Sequence, residues 1–431
     1  MRGLLLDLTP LKVSQDYRRL WLSTLLGSFG TQLMLVAVAL EVFHLTGSSF
    51  AVGMIGLVAL VPLVVAGLYG GAIADRYDRR TVALISAVVM WVTTAGIAAH
   101  AWAGIESLPM LYVLIGVHSG AGGVNQSVRG AIIPALVGTK LLPAANSLNI
   151  ITFSLSVMAG PVLGAVMVAS VGYAWTYTVD VVTLLVVVWA VWRLPALPPQ
   201  HAEGADAPSG RVGLRSVWEG FAFLGTRPNV RMTFLADIVA MATVFPRALL
   251  PAVGGVILGG GEPLVGVLLG AMAAGAFLAG LFSGPVTRLH AQGRAVYVAI
   301  LVWGGAMVAF GAVVLWATTL PAGDAALDVA IIACILLMAL AGAADAVSGV
   351  LRATILQAAT PDHLRGRLQG VFVVVVAGGP RLGEIITGSA SIGLGEGLTL
   401  ILGGVACVVL VSLLMARQPQ FLRYDARTPT P

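Results

Sequence analysis

Seven ionisable residues sit in or at the ends of long apolar runs, and their types set the chemistry on offer. Glu41 and Asp180 belong to the first half of the chain, and Asp237, Arg247, Asp345, Arg381 and Glu384 to the second. An ionisable group among apolar neighbours is costly unless it is paired, neutralised or facing water, so each is a candidate for function. Desolvation and a nearby guanidinium pull a carboxyl's acidity in opposite directions, so a change of surroundings can load or release its proton. Asp237, Asp345 and Glu384 are the candidates for carrying that proton. Arg381 and Glu384, three residues apart, share a helix face and read as a charge pair with Arg247 nearby. Static ion pairs that fix helix positions are the competing reading. Glu41 and Asp180 fall near the ends of their runs, where a solvated position is expected. Arg247 and Arg381 suit an anionic small molecule, and the acids suit a cationic one. Gln32, His118, Asn125, Gln126, Asn149 and Thr152 are candidates for lining a cavity. For His118 a hydrogen-bonded structural role competes.

These residues need helices to position them. Of 431 residues 58% are hydrophobic and only 10% charged, against roughly 25% in a soluble domain. So few charges cannot cover a soluble surface of this size, which excludes a soluble enzyme and a disordered scaffold as first readings. A membrane span uses about 20 apolar residues. Twelve such runs are legible: 19–43, 50–74, 81–103, 109–133, 144–170, 174–194, 229–252, 263–286, 295–317, 327–351, 367–391 and 395–416. The 53 glycines fit helices that pack closely in lipid. All but Arg247 and Arg381 of the 24 lysines and arginines fall in loops or span ends on one side. That side is the cytoplasm by the positive-inside rule, so both termini are expected there, in a bacterial plasma (inner) membrane. The net charge of +5 is then a topology signal, and no nucleic-acid partner is expected. Cys334 and Cys407 read as buried apolar residues, and no metal or other cofactor is called for.

The second half echoes the first. Arg129 in Val128-Arg129-Gly130-Ala131 corresponds to Arg352 in Leu351-Arg352-Ala353-Thr354, and Gly160-Pro161-Val162-Leu163-Gly164 to Gly379-Pro380-Arg381-Leu382-Gly383 at nearly the same offset. Parallel repeats of six spans place a site between the halves at mid-depth. The division expected is 1–194 as a first six-helix bundle, 195–228 as a cytoplasmic linker, 229–417 as a second bundle and 418–431 as a tail. Within the linker, 212–224 has the pattern of a helix lying on the membrane surface.

The loop after the second span reads Gly71-Ala72-Ile73-Ala74-Asp75-Arg76-Tyr77-Asp78-Arg79-Arg80. It resembles the G-x-L-A-D-R-x-G-R-R/K signature of the major facilitator superfamily, with Asp78 in place of the usual glycine. Ser156 to Ala165, around Gly160, Pro161 and Gly164, looks like the G-x-x-x-G-P-x-x-G-G pattern of the family's proton antiporters and implies a kinked, close-packing helix and outward transport. The outer-half arginine that the family usually carries in span four is missing from Gly116-Val117-His118-Ser119-Gly120. Thr46-Gly47-Ser48, Pro134-Ala135-Leu136-Val137-Gly138, Leu194 to Pro199, and Leu364-Arg365-Gly366-Arg367 make the chain similar to the enterobactin-exporter-like branch.

The resemblance implies an all-α membrane protein of twelve transmembrane helices in two pseudo-symmetric six-helix bundles. It further implies a secondary transporter, not an enzyme, in which Gly71, Asp75, Arg76, Arg79, Arg80, Arg129 and Arg352 govern conformational change. ATP is not the driving force by way of a phosphate-binding loop, since Lys12 and Lys140 are followed by Val13 and Leu141. Proton-coupled export of a small organic molecule such as a siderophore is the first reading. Efflux of macrolide- or tetracycline-like drugs is the alternative, and a passive channel stands behind both. Protons, the cargo and the bilayer are the partners expected of a monomer.

Overall fold

The computed structural model describes residues 7–198, 227–282, 289–321, 323–359, 362–425 and 427. Most of the linker, the proposed surface helix, and the loop Gly284 to Arg288 lie outside them. Among the described residues there is no strand.

After a short turn at Thr9–Val13, the first three long helices are α1 (Gln15–Thr46), α2 (Ser49–Arg76) and α3 (Arg79–Trp102). Leu108–Trp192 then runs for 85 residues, about 128 Å if straight and far more than one bilayer needs. Two glycines divide it: Gly138 (φ 69, ψ 169) and Gly172 (φ 83, ψ 175) adopt a backbone open essentially to glycine alone. The pieces are α4 (108–137), α5 (139–171) and α6 (173–192). Pro161 lies within α5, where the residues near it keep helical φ/ψ.

In the second half, α7 (Pro228–Thr243) is followed by a 3-10 turn at Pro246–Leu249 and a π turn at Pro251–Ile257. Then come α8 (Gly261–Leu281), α9 (Gln292–Ala317), α10 (Ala325–Ala358), α11 (Asp362–Leu394) and α12 (Glu396–Arg417). Counting the broken run through Ile257 as one pass, the described residues carry twelve. Nine helices meet the length and hydropathy of a membrane span outright, the 53-residue Lys140–Trp192 double pass among them.

The helices are apolar on their exposed faces as well as in their cores, and the buried charges lie inside. On α10, Val329, Ile332, Leu336 and Leu340 form an exposed stripe at helical spacing, while Cys334, Met338, Ser348 and Arg352 are buried. That inversion is what lipid as solvent requires.

Two compact units form. One comprises Met1–Glu41 and Val58–Gly213, the other Val42–Leu57 and Leu214–Pro431. In the first, Leu20, Val82, Val128, Ile132, Leu184 and Val187 build one core, and Tyr17 packs with Ala145 and Leu148 in another. In the second, α8 and α10 approach backbone to backbone: a Cβ on Gly275 would meet the Ala339 carbonyl, and one on Gly342 the Met272 carbonyl. The start of the tail is folded, since Phe421 and Tyr424 are buried and the Phe421 carbonyl abuts Gly293 of α9.

Candidate functional site

In the second unit, α10 carries Asp345 and Arg352 two turns apart, and α7 brings Asp237 to them. Arg352 closes an ion pair with Asp237, both side chains only 4% exposed. Its other terminal nitrogen stands 3.8 Å from Asp345, which is more open. Arg352 Nε donates to the Ser348 carbonyl (3.3 Å). Asp237 Oδ2 and Ser348 Oγ are buried without a hydrogen-bond partner. Two carboxylates thus face one guanidinium.

Further along the same unit α7 breaks. Pro246 lacks an N–H and pushes the residue before it toward extended backbone. Val244 and Phe245 are extended accordingly (φ −154 and −132). The Thr387 hydroxyl is 3.1 Å from the Phe245 carbonyl, within reach to donate. Arg247 sits in the 3-10 turn beyond the break. Across from it on α11, Arg381 and Glu384 share a face and act on each other electrostatically, with no ion pair within 4.0 Å between them among the described residues. Glu384 is buried. Arg247 and Arg381 both act on its carboxylate electrostatically. The first turns of α2 belong to this unit and press bare backbone on that acid. A Cβ on Gly56 would meet the Glu384 carboxylate, and one on Gly53 its carbonyl. Ser49 Oγ donates to Glu396 (3.1 Å) nearby in this packing.

In the first unit, Arg129 of α4 donates to the Thr24 hydroxyl of α1. This is the relation Arg352 of α10 has to Asp237 of α7: the fourth helix of each unit reaches its first. Asn125 is spent on the Ala83 carbonyl (3.3 Å) and Ser86 (3.0 Å) of α3, and so fastens two helices. Gln126 is exposed and Asn149 half-buried. Gln32 packs on Gly160, and Leu33 on Gly164, so the Gly-Pro motif supplies close approach of α5 to α1. Thr152 is buried with its hydroxyl unpartnered. His118 is buried, with Nδ1 3.3 Å from the Thr94 hydroxyl and 3.4 Å from that of Thr93.

Asp180 and Glu41, expected at solvated span ends, are buried. The Tyr177 hydroxyl donates to Glu41. His100 Nδ1 lies 3.8 Å from the same carboxylate, and His100 Nε2 accepts from the Ser107 N–H (3.1 Å). The motif loop is tied within this unit. Asp78 caps α3 by accepting from the Thr81 N–H (2.8 Å), and it also accepts from the Leu197 N–H (2.7 Å). Arg80 donates to the Trp192 carbonyl (2.6 Å). Arg76 lies over the Tyr77 ring, 5.8 Å from its centroid. Arg79 is hydrogen-bonded through its N–H to the Leu197 carbonyl (3.1 Å). Partial burial by itself would raise the Asp78 carboxyl; the Thr81 and Leu197 hydrogen bonds and Arg80 outweigh it and hold it below its ordinary value. The side chains of Asp75, Arg365 and Arg367 and the surroundings of Gly71 lie outside the described residues.

Residues 7–429 match the family model described as transmembrane secretion effector. The chain belongs to that family, within the major facilitator superfamily. Full-length relatives agree. The enterobactin exporter EntS of Citrobacter koseri is 27% identical over 433 residues, 99% of this chain and 97% of that protein. The enterobactin exporter EntS of Shigella boydii serotype 18 is 28% identical, over 98% and 99% of the two chains. The fold is shared with the crystal structure of the nucleoside transporter NupG: TM-score 0.71 and 14% identity, covering 93% of this chain and 98% of that one. It is shared too with the D-xylose–proton symporter: TM-score 0.67 and 13% identity, covering 92% and 96%. This family member is thus a multi-pass transporter.

Proposed function

We propose that the protein exports a small, anionic, siderophore-like molecule from the cytoplasm by alternating access, with inward proton flow as the driving force. Both termini are on the cytoplasmic side in this reading, and the 195–228 segment links the two repeats. The observation that carries it is the buried charge of the second unit: Asp237 and Asp345 on one guanidinium, and Glu384 under the influence of Arg247 and Arg381 beside the α7 break. A discontinuous transmembrane helix frees backbone groups at membrane depth, which is where transporters of this class hold their cargo. Two arginines there favour an anion over the cationic drugs of the alternative reading. The full-length likeness to enterobactin exporters supports both the direction and the class of cargo.

The test is uptake by inverted membrane vesicles, in which export runs inward. Vesicles holding the protein are expected to accumulate an iron-free catecholate siderophore under an imposed pH gradient and to lose it on adding a protonophore. A cationic dye run in parallel is expected to gain little. Dye accumulation without siderophore uptake would favour drug efflux, and equilibration of either without the gradient would favour a channel.

A further inference from the structure

Within the first unit, helices α1, α3 and α6 and the start of α4 meet around one imidazole that the charges of the second unit leave unused. His100, near the end of α3, is buried. Its Nε2 accepts from the Ser107 N–H (3.1 Å), where α4 begins. A backbone N–H can only donate, so Nε2 must offer its lone pair, and the hydrogen of the neutral ring is on Nδ1. Nδ1 stands 3.8 Å from Glu41 Oε1 of α1 and has no hydrogen-bond partner among the described residues. The other oxygen, Glu41 Oε2, accepts from the Tyr177 hydroxyl of α6. One oxygen of the acid is held by a donor and the other faces one, which suits the ionised form. The loop leaving α3 turns at Gly104 (φ 63) and is tied to His100 a second time, by the Ile105 N–H to its carbonyl (3.1 Å). Residues 102–106 are exposed. Just beyond the cluster the exposed rings of Trp102 and Trp175 meet edge to face, their centroids 5.1 Å apart. Indoles collect where spans meet water, so a source of protons is close at hand.

We propose that His100 is a binding site for one proton at the outer end of the first unit, and that the Ser107 bond is released when the proton binds. The outer side follows the orientation read from the sequence, and the site's part in export rests on the proton-driven reading above. The site itself rests on these contacts. A proton taken from water onto Nε2 makes an imidazolium with an N–H at each nitrogen. The new Nε2–H points at the Ser107 N–H, donor against donor, so that bond is lost while the Ile105 bond holds. The first turn of α4 then comes free of α3. Nδ1 keeps its hydrogen, and the positive ring is drawn across the 3.8 Å gap to the Glu41 carboxylate. One proton enters, none leaves, and Glu41 and Tyr177 keep their charges. Proton binding thus transfers the hold of α3 from the start of α4 to α1.

The packed elements carry further titratable groups near this cluster. His44 follows Glu41 by one turn on α1 and is exposed, and Tyr173 precedes Tyr177 by one turn on α6 and acts on it electrostatically. Exposed Glu106 and half-buried Tyr112 lie on either side of Ser107 in the chain.

Nitrogen-15 spectra of the full-length protein with labelled histidine in lipid nanodiscs, taken alongside amide hydrogen exchange, test this without any cargo. A neutral ring with its hydrogen on Nδ1 is expected in the wild type and is expected to be missing from His100→Gln. Its conversion to imidazolium on acidification is expected to coincide with faster exchange of the Ser107 amide, beyond the intrinsic pH dependence of exchange. Glu41→Gln is expected to move the midpoint of both changes together, and Tyr177→Phe, which keeps the carboxylate, to move it less. A neutral His100 ring protonated on Nε2 would overturn the proposal, and so would a Ser107 amide indifferent to the state of the ring. If H100Q does not fold, the wild-type exchange of Ser107 set against the ring spectra decides. Protonophore-insensitive siderophore uptake, with ring and amide still titrating together, would sink the export reading and leave the site standing.

Discussion

At the scale of single residues, the Arg352–Asp237 pair has the clearest energetic consequence. Removing one partner of a buried pair leaves the other charge stranded, at about 3–5 kcal/mol, whereas removing both leaves only the more open Asp345. Arg352→Gln is therefore expected to lower thermal stability in detergent by that order, and adding Asp237→Asn to recover much of it. A double variant as unstable as the sum of the singles would show that the two do not act as a pair. Asp237 and Asp345 were legible as candidates because acids stand out in apolar sequence. Their partner was not, since nothing local ties Arg352 to a residue in a helix three spans earlier. For Arg381 and Glu384 a spacing of three made the shared face legible but not the distance between the two charges. Gly30 and Gly56 carry no sequence signal, because a glycine in an apolar run is ordinary until a carboxyl is found against it.

At the scale of elements, the motif loop depends on Asp78. Replacing this cap by alanine is expected to cost about 0.5–2 kcal/mol and to loosen the Leu197 end of α6 with it. The folded carboxyl titrates below its ordinary 3.8, so its stabilisation is complete above that value and is lost as pH falls through the lower folded one. The melting temperature of the wild type is thus expected to fall on acidification in this range by more than that of Asp78→Asn, which has no charge to lose. Parallel pH profiles would contradict this. The breaks at Gly138 and Gly172 make a different prediction. A Cβ at Gly172 meets nothing within 4 Å, so Gly172→Ala is expected to destabilise by about 1–3 kcal/mol through backbone conformation alone. Gly342→Val, by contrast, must push α8 and α10 apart, and is expected to shift mobility of that helix pair as read by spin labels. Helix positions were readable from the apolar runs. The turn between α5 and α6 was readable only as a gap between runs, and the α7 interruption only as Pro246 within a span.

At the scale of the molecule, duplication was visible in sequence through Arg129 and Arg352, and each of these arginines spans from the fourth helix of its unit to the first. The division between units cuts α1 and α2 near Glu41 and Leu57, which no composition shift marks, because lipid-facing and helix-facing apolar residues are the same residues. The account as a whole asks that cargo and protons be exchanged through these units. Reconstituted protein in liposomes carrying a pH-sensitive dye gives the most direct reading. With no pH gradient imposed, a gradient of iron-free catecholate siderophore is expected to drive protons the opposite way and change internal pH. A siderophore that equilibrates while internal pH stays constant would contradict coupling outright.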